Sequence, residues 1–292
     1  MEEFALETID LPDSVPIHVR WWRPAKPRGA VLCFHGIQSH GGWYESSGAA
    51  LAAAGLTVLM PDRRGSGLNG PPRGHFDSAN QCFDDTYHLL DRLRAETDRD
   101  AAHVIGISWG GRQAVLLARR RPEHVRSLTL VAPGLFPKVD MTMTEKFRVA
   151  MSMVNARERL FDIPLCDARL FTTNPDQIRY VEHDELKLRR VSAGFLLASR
   201  RLDREIRTLS ESPYRGPIHL ILAGKDRIID NERTRRWLRD LPSPDRRITD
   251  YPNASHTLEF EPDPKEFFDD LSGWIAERAE TSNRRENVEK SK

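Results

Sequence analysis

With 292 residues, 39% of them hydrophobic, and 44 Lys and Arg set against 43 Asp and Glu, the chain can bury a large core and carries no global basic field. That balance argues against a nucleic-acid partner recruited by charge, and no apolar run reaches the length needed to span a bilayer. The acidic opening MEEFALETID has no apolar h-region and is not read as a secretory signal; Cys33, Cys82 and Cys166 are too widely spaced for a disulfide framework or metal cluster and read as small apolar filler. The starting expectation is a cytoplasmic protein.

Along the chain the apolar period switches repeatedly between strand and helix. IHVRWWR (17–23) and AVLCFH (30–35) read as strands, and WYESSGAALAAAG (43–55) as a helix closed by a glycine. LTVLMP (56–61) is a buried strand. ANQCFDDTYHLLDRLRAE (79–96) is helical, with Phe83, Tyr87, Leu90 and Leu93 on one face. AHVIGI (102–107) and SLTLVAP (127–133) are strands flanking a helix from about Trp109 to Arg120. IHLILAG (218–224), a helix near 231–240, RITDYP (247–252) and a helix from about Pro264 to Ala279 complete the series. Strands alternating with helices predict an α/β fold with a mostly parallel sheet covered on both faces.

The stretch from about 135 to 200 breaks the rhythm. MTMTEKFRVAMSMV and LKLRRVSAGFLLASR are helical, with no clear strand between them. It reads as a helical cap or lid, 135–200, inserted into a core formed by 1–134 and 201–280. Met141, Met143, Phe147, Met151, Met153 and Val154 could supply an apolar acyl site or simply pack against the core. The polar tail TSNRRENVEKSK (281–292) is expected to be disordered.

Two glycine motifs compete for attention. Gly65, Gly67 and Gly70 in GSGLNG fit a dinucleotide fingerprint, but Pro71 and Pro72 follow where a helix would have to open, so the stretch reads as a loop and no cofactor is expected. VIGISWGG (104–111) is different. A Gly-x-Ser-x-Gly between strand and helix is a nucleophile elbow, in which Gly106 and Gly110 let strand and helix approach closely and Ser108 occupies the exposed apex above a helix N-terminus.

A serine nucleophile needs a base, and the base needs an orienting acid. Asp226 follows the strand IHLILAG and His256 follows RITDYP, giving the order Ser108, Asp226, His256 that an elbow requires. Asp230 is the rival acid but is explained as a helix cap, Asp203 is a weaker rival, and His219 lies inside a strand. The backbone N–H groups of Trp109 and of Ile37, beside Gly36 after the strand AVLCFH, are the expected oxyanion donors. His35 and Asp62 are read as loop-fixing residues, and no grouping has metal-ligand spacing.

Together HGIQSHGGWY, AAAGLTVLMPDRRGSG, GISWGG, AGKDRIID and ASHTLEF resemble the α/β-hydrolase superfamily, and within it the monoacylglycerol lipase, lysophospholipase and serine-aminopeptidase-like (hydrolase-4) group, over roughly residues 15–275. The resemblance implies an α/β-hydrolase fold with a helical lid after the sixth strand. It also implies a serine carboxylic-ester hydrolase acting on a small-molecule acyl ester of monoacylglycerol or lysophospholipid type, with transient membrane-surface contact possible and oligomeric state left open. Thioesterase, aminopeptidase or acyltransferase chemistry with the same three residues, or a non-catalytic ligand-binding protein, are the alternatives. Members of the group tend to carry a histidine before the nucleophile, a methionine after it, and a glutamate then a histidine in the loop after His-Gly. This chain has Ile107, Trp109, Ser39 and His40 there, and the indole is expected to narrow the acyl or alcohol pocket.

Overall fold

The structure, a computed structural model, describes residues 3–207 and 213–289. Its centre is built from β3 (Gly29–Phe34), β4 (Leu56–Pro61), β5 (Ala102–Ile107) and β9 (Ile218–Ala223), in which every residue is buried, together with β6 (Val125–Val131). Runs this apolar cannot face water on either side, so helices cover both faces of the sheet. With β1 (Ala5–Asp10), β2 (Pro16–Trp22) and β10 (Arg246–Tyr251), the sheet has the order β1-β2-β4-β3-β5-β6-β9-β10 among the described residues. β1 and β2 are antiparallel to their neighbours, and the other pairings are parallel.

Sequence reading misses β1. Only Ile9 of its six residues is buried, because β1 is an edge strand held by pairing to β2 rather than by a hydrophobic face. At the opposite edge β10 carries Arg246, Arg247 and Asp250, charges that discourage further strand addition. The expected helices appear as α1 (Glu45–Ala53), α2 (Ala79–Thr97), α3 (Gly110–Arg120), α7 (Asn231–Arg239) and α8 (Lys265–Glu289). The backbone of α8 is helical ten residues past the expected stop at Ala279, into the tail expected to be disordered; that stretch contains no Gly or Pro to end a helix, and residues 290–292 lie outside the described residues.

Between β6 and β9 lies an insertion with α4 (Met143–Asn155), α5 (Pro175–His183) and α6 (Ala193–Arg207). α4 opens on a capping box: Thr142 Oγ1 accepts the Glu145 N–H at 3.2 Å while the Glu145 carboxylate accepts the Thr142 N–H at 2.8 Å. Contrary to the sequence reading, the insertion contains strands, a ribbon of β7 (Leu160–Asp162) and β8 (Arg190–Ser192) paired antiparallel. Three residues per strand are too few for an alternating pattern to register. The expected boundary at residue 200 falls inside α6, which packs against α3 and α4 alike.

Candidate functional site

Four parallel strands deliver the predicted residues to one edge of the sheet, the edge at their C-terminal ends, where open α/β sheets form crevices. β3 runs into His35, Gly36 and Ile37; β5 into Ser108; β9 into Asp226; and β10 into His256.

Ser108 sits in the left-handed region at φ +50, a strained conformation for a residue with a side chain. The surroundings enforce it. Its N–H donates to the Val131 carbonyl at 3.0 Å, and its carbonyl accepts the N–H groups of Gly111 at 2.9 Å and Gly134 at 2.6 Å. A Cβ on Gly106 would lie 2.6 Å from the Gly111 Cα, and one on Gly110 would lie 2.4 Å from the Phe34 carbonyl oxygen. Both close approaches are to backbone, which cannot swing aside, so the bracketing glycines are a steric requirement of the turn.

The Ser108 hydroxyl and His256 Nε2 are 2.9 Å apart, and His256 Nδ1 lies 2.7 Å from Asp226 Oδ2. The other Asp226 oxygen accepts the N–H groups of Ile228 at 2.7 Å and Ile229 at 2.9 Å. Burial alone would raise the Asp226 carboxyl, but the His256 charge, the His256 hydrogen bond and these two amides outweigh it and hold the group below the usual carboxylate range. The ionised acid therefore favours the ring tautomer with hydrogen on Nδ1, leaving Nε2 free to accept from Ser108.

The rival residues have other partners. Asp230 caps α7 by accepting the Arg233 N–H at 3.0 Å, Asp203 pairs with Arg112 at 2.6 Å, and His219 meets Thr249 at 2.8 Å within the sheet. His35 and Asp62 fix loops as expected. His35 takes the Arg63 N–H on Nε2 at 2.8 Å and gives its Nδ1 hydrogen to the Gly36 carbonyl at 2.8 Å, while Asp62 accepts the N–H groups of Gly41 at 2.6 Å and Leu68 at 2.9 Å.

Ile37, Ser108 and Trp109 together line one wall of a cavity of about 530 Å³. Ile163, Leu165, Leu196, Ile228 and Ile229 are among its apolar lining. The methionine-rich face of α4 divides: Met153, with Met141 just before the helix, lines the cavity, whereas Met143, Phe147 and Met151 are exposed to solvent; the Val154 side chain lies outside the described residues.

A family model described as serine aminopeptidase S33, hydrolase-4 type, matches residues 25–263. The chain belongs to this family. Among relatives of this hydrolase-4 protein, the human monoglyceride lipase is 24% identical over 286 residues, covering 94% of this chain and 92% of the relative. A monoacylglycerol lipase of Mycolicibacterium smegmatis is 26% identical over 264 residues, covering 87% and 90%. The chain spans only 29% of a longer abhydrolase domain-containing protein of Dictyostelium discoideum, 25% identical over 279 residues. In three dimensions a soluble variant of the Saccharomyces cerevisiae monoglyceride lipase, in complex with a substrate analog, superimposes with a TM-score of 0.85 at 18% identity, covering 95% and 96% of the two chains, which establishes the α/β-hydrolase fold.

Where this hydrolase-4 chain carries its own residues, the structure shows what they do. Trp109 lines the cavity, and its indole is held by packing against the insertion. Its ring is buried, stacked 6.3 Å from Phe76 and tilted 5.1 Å from Phe195, and its Nε1–H donates to Ser199 Oγ at 3.1 Å, tying the elbow to α6. Ser39 Oγ accepts the Gly36 N–H at 2.9 Å and the Tyr44 hydroxyl at 3.1 Å. His40 receives the Gly42 N–H on Nδ1 at 3.1 Å and reaches Asp184 of the insertion with Nε2 at 3.1 Å, where Asp184 also accepts Trp43 Nε1–H at 2.7 Å.

Sequence reasoning missed Arg63. Buried under the elbow, it donates from Nη1 to the Gly36 carbonyl and from Nη2 to the Ile37 carbonyl, each at 2.9 Å, with its guanidinium 4.7 Å from the Trp109 ring. Burial lowers its pKa to about 10, so it remains a cation at neutral pH. In the sequence it is one of two adjacent arginines after Asp62, with nothing to mark it as the buried one.

Proposed function

We propose that this chain is a serine hydrolase that cleaves the carboxylic ester of a lipid-like substrate. The observation that carries the reading is the unbroken run of hydrogen bonds from Asp226 through His256 to Ser108, opening onto an apolar cavity. Ser108 Oγ attacks the ester carbonyl as His256 Nε2 takes its proton, and Asp226 orients the ring and stabilises its charged form. The N–H groups of Ile37 and Trp109 receive the oxyanion. The tetrahedral adduct expels the alcohol, protonated by His256, and leaves an acyl-Ser108 ester. Water, deprotonated by the same ring, then attacks the acyl group, and collapse of the second adduct returns the proton to Ser108 and releases the carboxylic acid.

The apolar cavity supports an acyl chain, and the names of the relatives support a lipid ester as its source. An aminopeptidase reading is less well served. A free α-amine calls for an available carboxylate, and the two carboxylates lining the cavity, Asp140 and Asp203, are already paired with Lys146 and Arg112. The exposed Met143, Phe147 and Met151 support contact with a lipid surface, and no helix among the described residues is long and apolar enough to cross a membrane.

Fluorophosphonate labelling, followed by a panel of matched ester, thioester and amide substrates, tests the proposal. Wild type labels and turns over esters fastest, Ser108→Ala folds but does not label, and His256→Ala loses at least about 10³ in rate. Folded wild-type protein that stays unlabelled would sink the reading, and faster turnover of amides would replace the ester with another acyl bond.

A further inference from the structure

The cavity beside Ser108 is lined by apolar and by charged side chains. Along α6, Leu196 lines the cavity and Ser199 holds the Trp109 indole. Farther along the same helix Arg200, Asp203 and Arg204 also line the cavity, with Arg200 and Arg204 exposed. Arg200 and Arg204 are four residues apart, which places them on one helical face. At about 1.5 Å of rise per residue, Arg204 lies about 7.5 Å farther along the axis than Ser199. The two arginines thus follow the elbow contact along α6 within about the length of a glycerol unit with its substituent.

The charged lining carries a net positive charge. Arg112, Lys146, Arg200 and Arg204 line the cavity against the carboxylates Asp140 and Asp203. Asp203 is bound by Arg112 at 2.6 Å, and Asp140 by Lys146. Arg200 stands near enough to add to the field on Asp140: burial would raise that carboxyl, but Lys146, the Met141 N–H and Arg200 together hold it below its usual range. Among the described residues, neither Arg200 nor Arg204 forms a salt bridge of its own. Two exposed guanidiniums are thus aimed into a site whose anions are spent, and a guanidinium fork matches the paired oxygens of a phosphate or carboxylate.

The geometry points to an oxyanion subsite formed by Arg200 and Arg204, which selects an acyl ester carrying a phosphate or carboxylate about one glycerol unit from the scissile bond, in preference to the neutral ester. An acylglycerol phosphate has this spacing. The inference rests on the proposed function in taking this cavity as the substrate site, and it adds the charge class of the substrate.

Calorimetric binding of three uncleavable ethers tests it: 1-octylglycerol, its 3-phosphate, and an analogue bearing a terminal carboxylate in place of the phosphate. Wild type is expected to bind at least one anionic ether tenfold or more tightly than the neutral one, with the advantage shrinking as salt rises, and the preferred anion identifies the source of the oxyanion. In Arg200→Gln/Arg204→Gln that advantage falls to within about twofold of one, while Arg200→Lys/Arg204→Lys keeps part of it; thermal melting reports that each variant is folded. Equal affinity of wild type for all three ethers, or an advantage that survives in the glutamine variant, overturns the subsite. Because the ethers need no turnover, this outcome is separate from the labelling of Ser108, whose failure would overturn the hydrolase reading instead.

Discussion

Arg63 grips the Ile37 carbonyl at 2.9 Å while lying 4.7 Å from the ring of Trp109. One buried side chain therefore touches both residues whose amides are proposed to meet the oxyanion. It touches no substrate, so its role is to position the Gly36–Ile37 peptide. Arg63→Lys keeps the charge but loses the fork that spans two carbonyls. Removing an oxyanion donor outright costs about 10² to 10³ in kcat, so tilting one by losing its support is expected to cost about 10-fold to 10²-fold, with KM nearly unchanged. A loss confined to KM would show that Arg63 acts on substrate binding instead.

Asp226 and Asp230 stand four residues apart after the same strand, and only the first reaches His256. Asp226→Asn keeps the shape but can present its amide N–H to the ring, which favours the wrong tautomer. A loss of about 10⁴ in kcat is expected. Asp230→Asn preserves a good helix cap and is expected to stay within a few-fold of wild type. Comparable losses in the two variants, measured on one soluble ester, would contradict the assignment of the acid.

The elbow was legible in the sequence because its constraint is local. Gly106 and Gly110 are demanded by backbone atoms only a few residues away or on the neighbouring strand end. The partners were legible because each follows a late strand in the chain order an elbow requires, Asp226 after the fully buried β9 and His256 after the edge strand β10. Arg63 was not legible: nothing in DRRGSG distinguishes a buried arginine beneath the elbow from Arg64, which pairs with Asp85 at 2.7 Å toward the surface. The packing of Trp109 was likewise hidden, since it depends on Phe76 and Phe195, which lie far away in the chain. β1 escaped because an edge strand needs no buried face, and the β7–β8 ribbon because three residues per strand are too few for an alternation to register.

Gly110 offers a test of the steric account that is independent of chemistry. Its missing Cβ would sit 2.4 Å from the Phe34 carbonyl oxygen, on the strand that leads to Gly36 and Ile37. Gly110→Ala must push β3 and α3 apart. A destabilisation of about 1 to 3 kcal/mol is expected from such overpacking, together with a loss of labelling at Ser108 larger than the loss of folded protein. An alanine variant with wild-type melting and labelling would show that strand and helix need not meet so closely.

Glu259, three residues after His256, accepts the Ser47 N–H at 3.0 Å and the Ser47 hydroxyl in the first turn of α1. Burial pushes its carboxyl up to about 7 from the usual 4.5, against hydrogen bonds from Ser47 and Ser46, with Glu45 adding to the rise. The folded chain therefore holds this proton where the unfolded chain has released it. Its contribution to stability is present below the unfolded value and is lost as pH rises through the folded one. Asp226 has the opposite sign, its contribution fading only as pH falls below the usual carboxylate range. Melting temperatures of wild type should fall between about pH 5 and pH 7, and Glu259→Gln should flatten that slope. Parallel curves for the two proteins would exclude Glu259 as its source.

α4 exposes Met143, Phe147 and Met151 at 77%, 67% and 60%, while Ala150 and Met153 on its other side line the cavity. The exposed positions recur at four-residue spacing, so they form a stripe along one face of the helix. Fully burying such side chains releases about 1.5 to 3 kcal/mol each, enough in combination to hold the protein reversibly at a lipid surface even with partial insertion. Met143→Gln/Phe147→Gln/Met151→Gln is therefore expected to lose vesicle binding in flotation and to slow hydrolysis of a long-chain ester presented in vesicles about tenfold. Hydrolysis of a short, water-soluble ester should change far less, because that substrate reaches Ser108 without an interface. If both substrates slow equally, the stripe acts on the cavity through the packing of α4 rather than on a membrane surface.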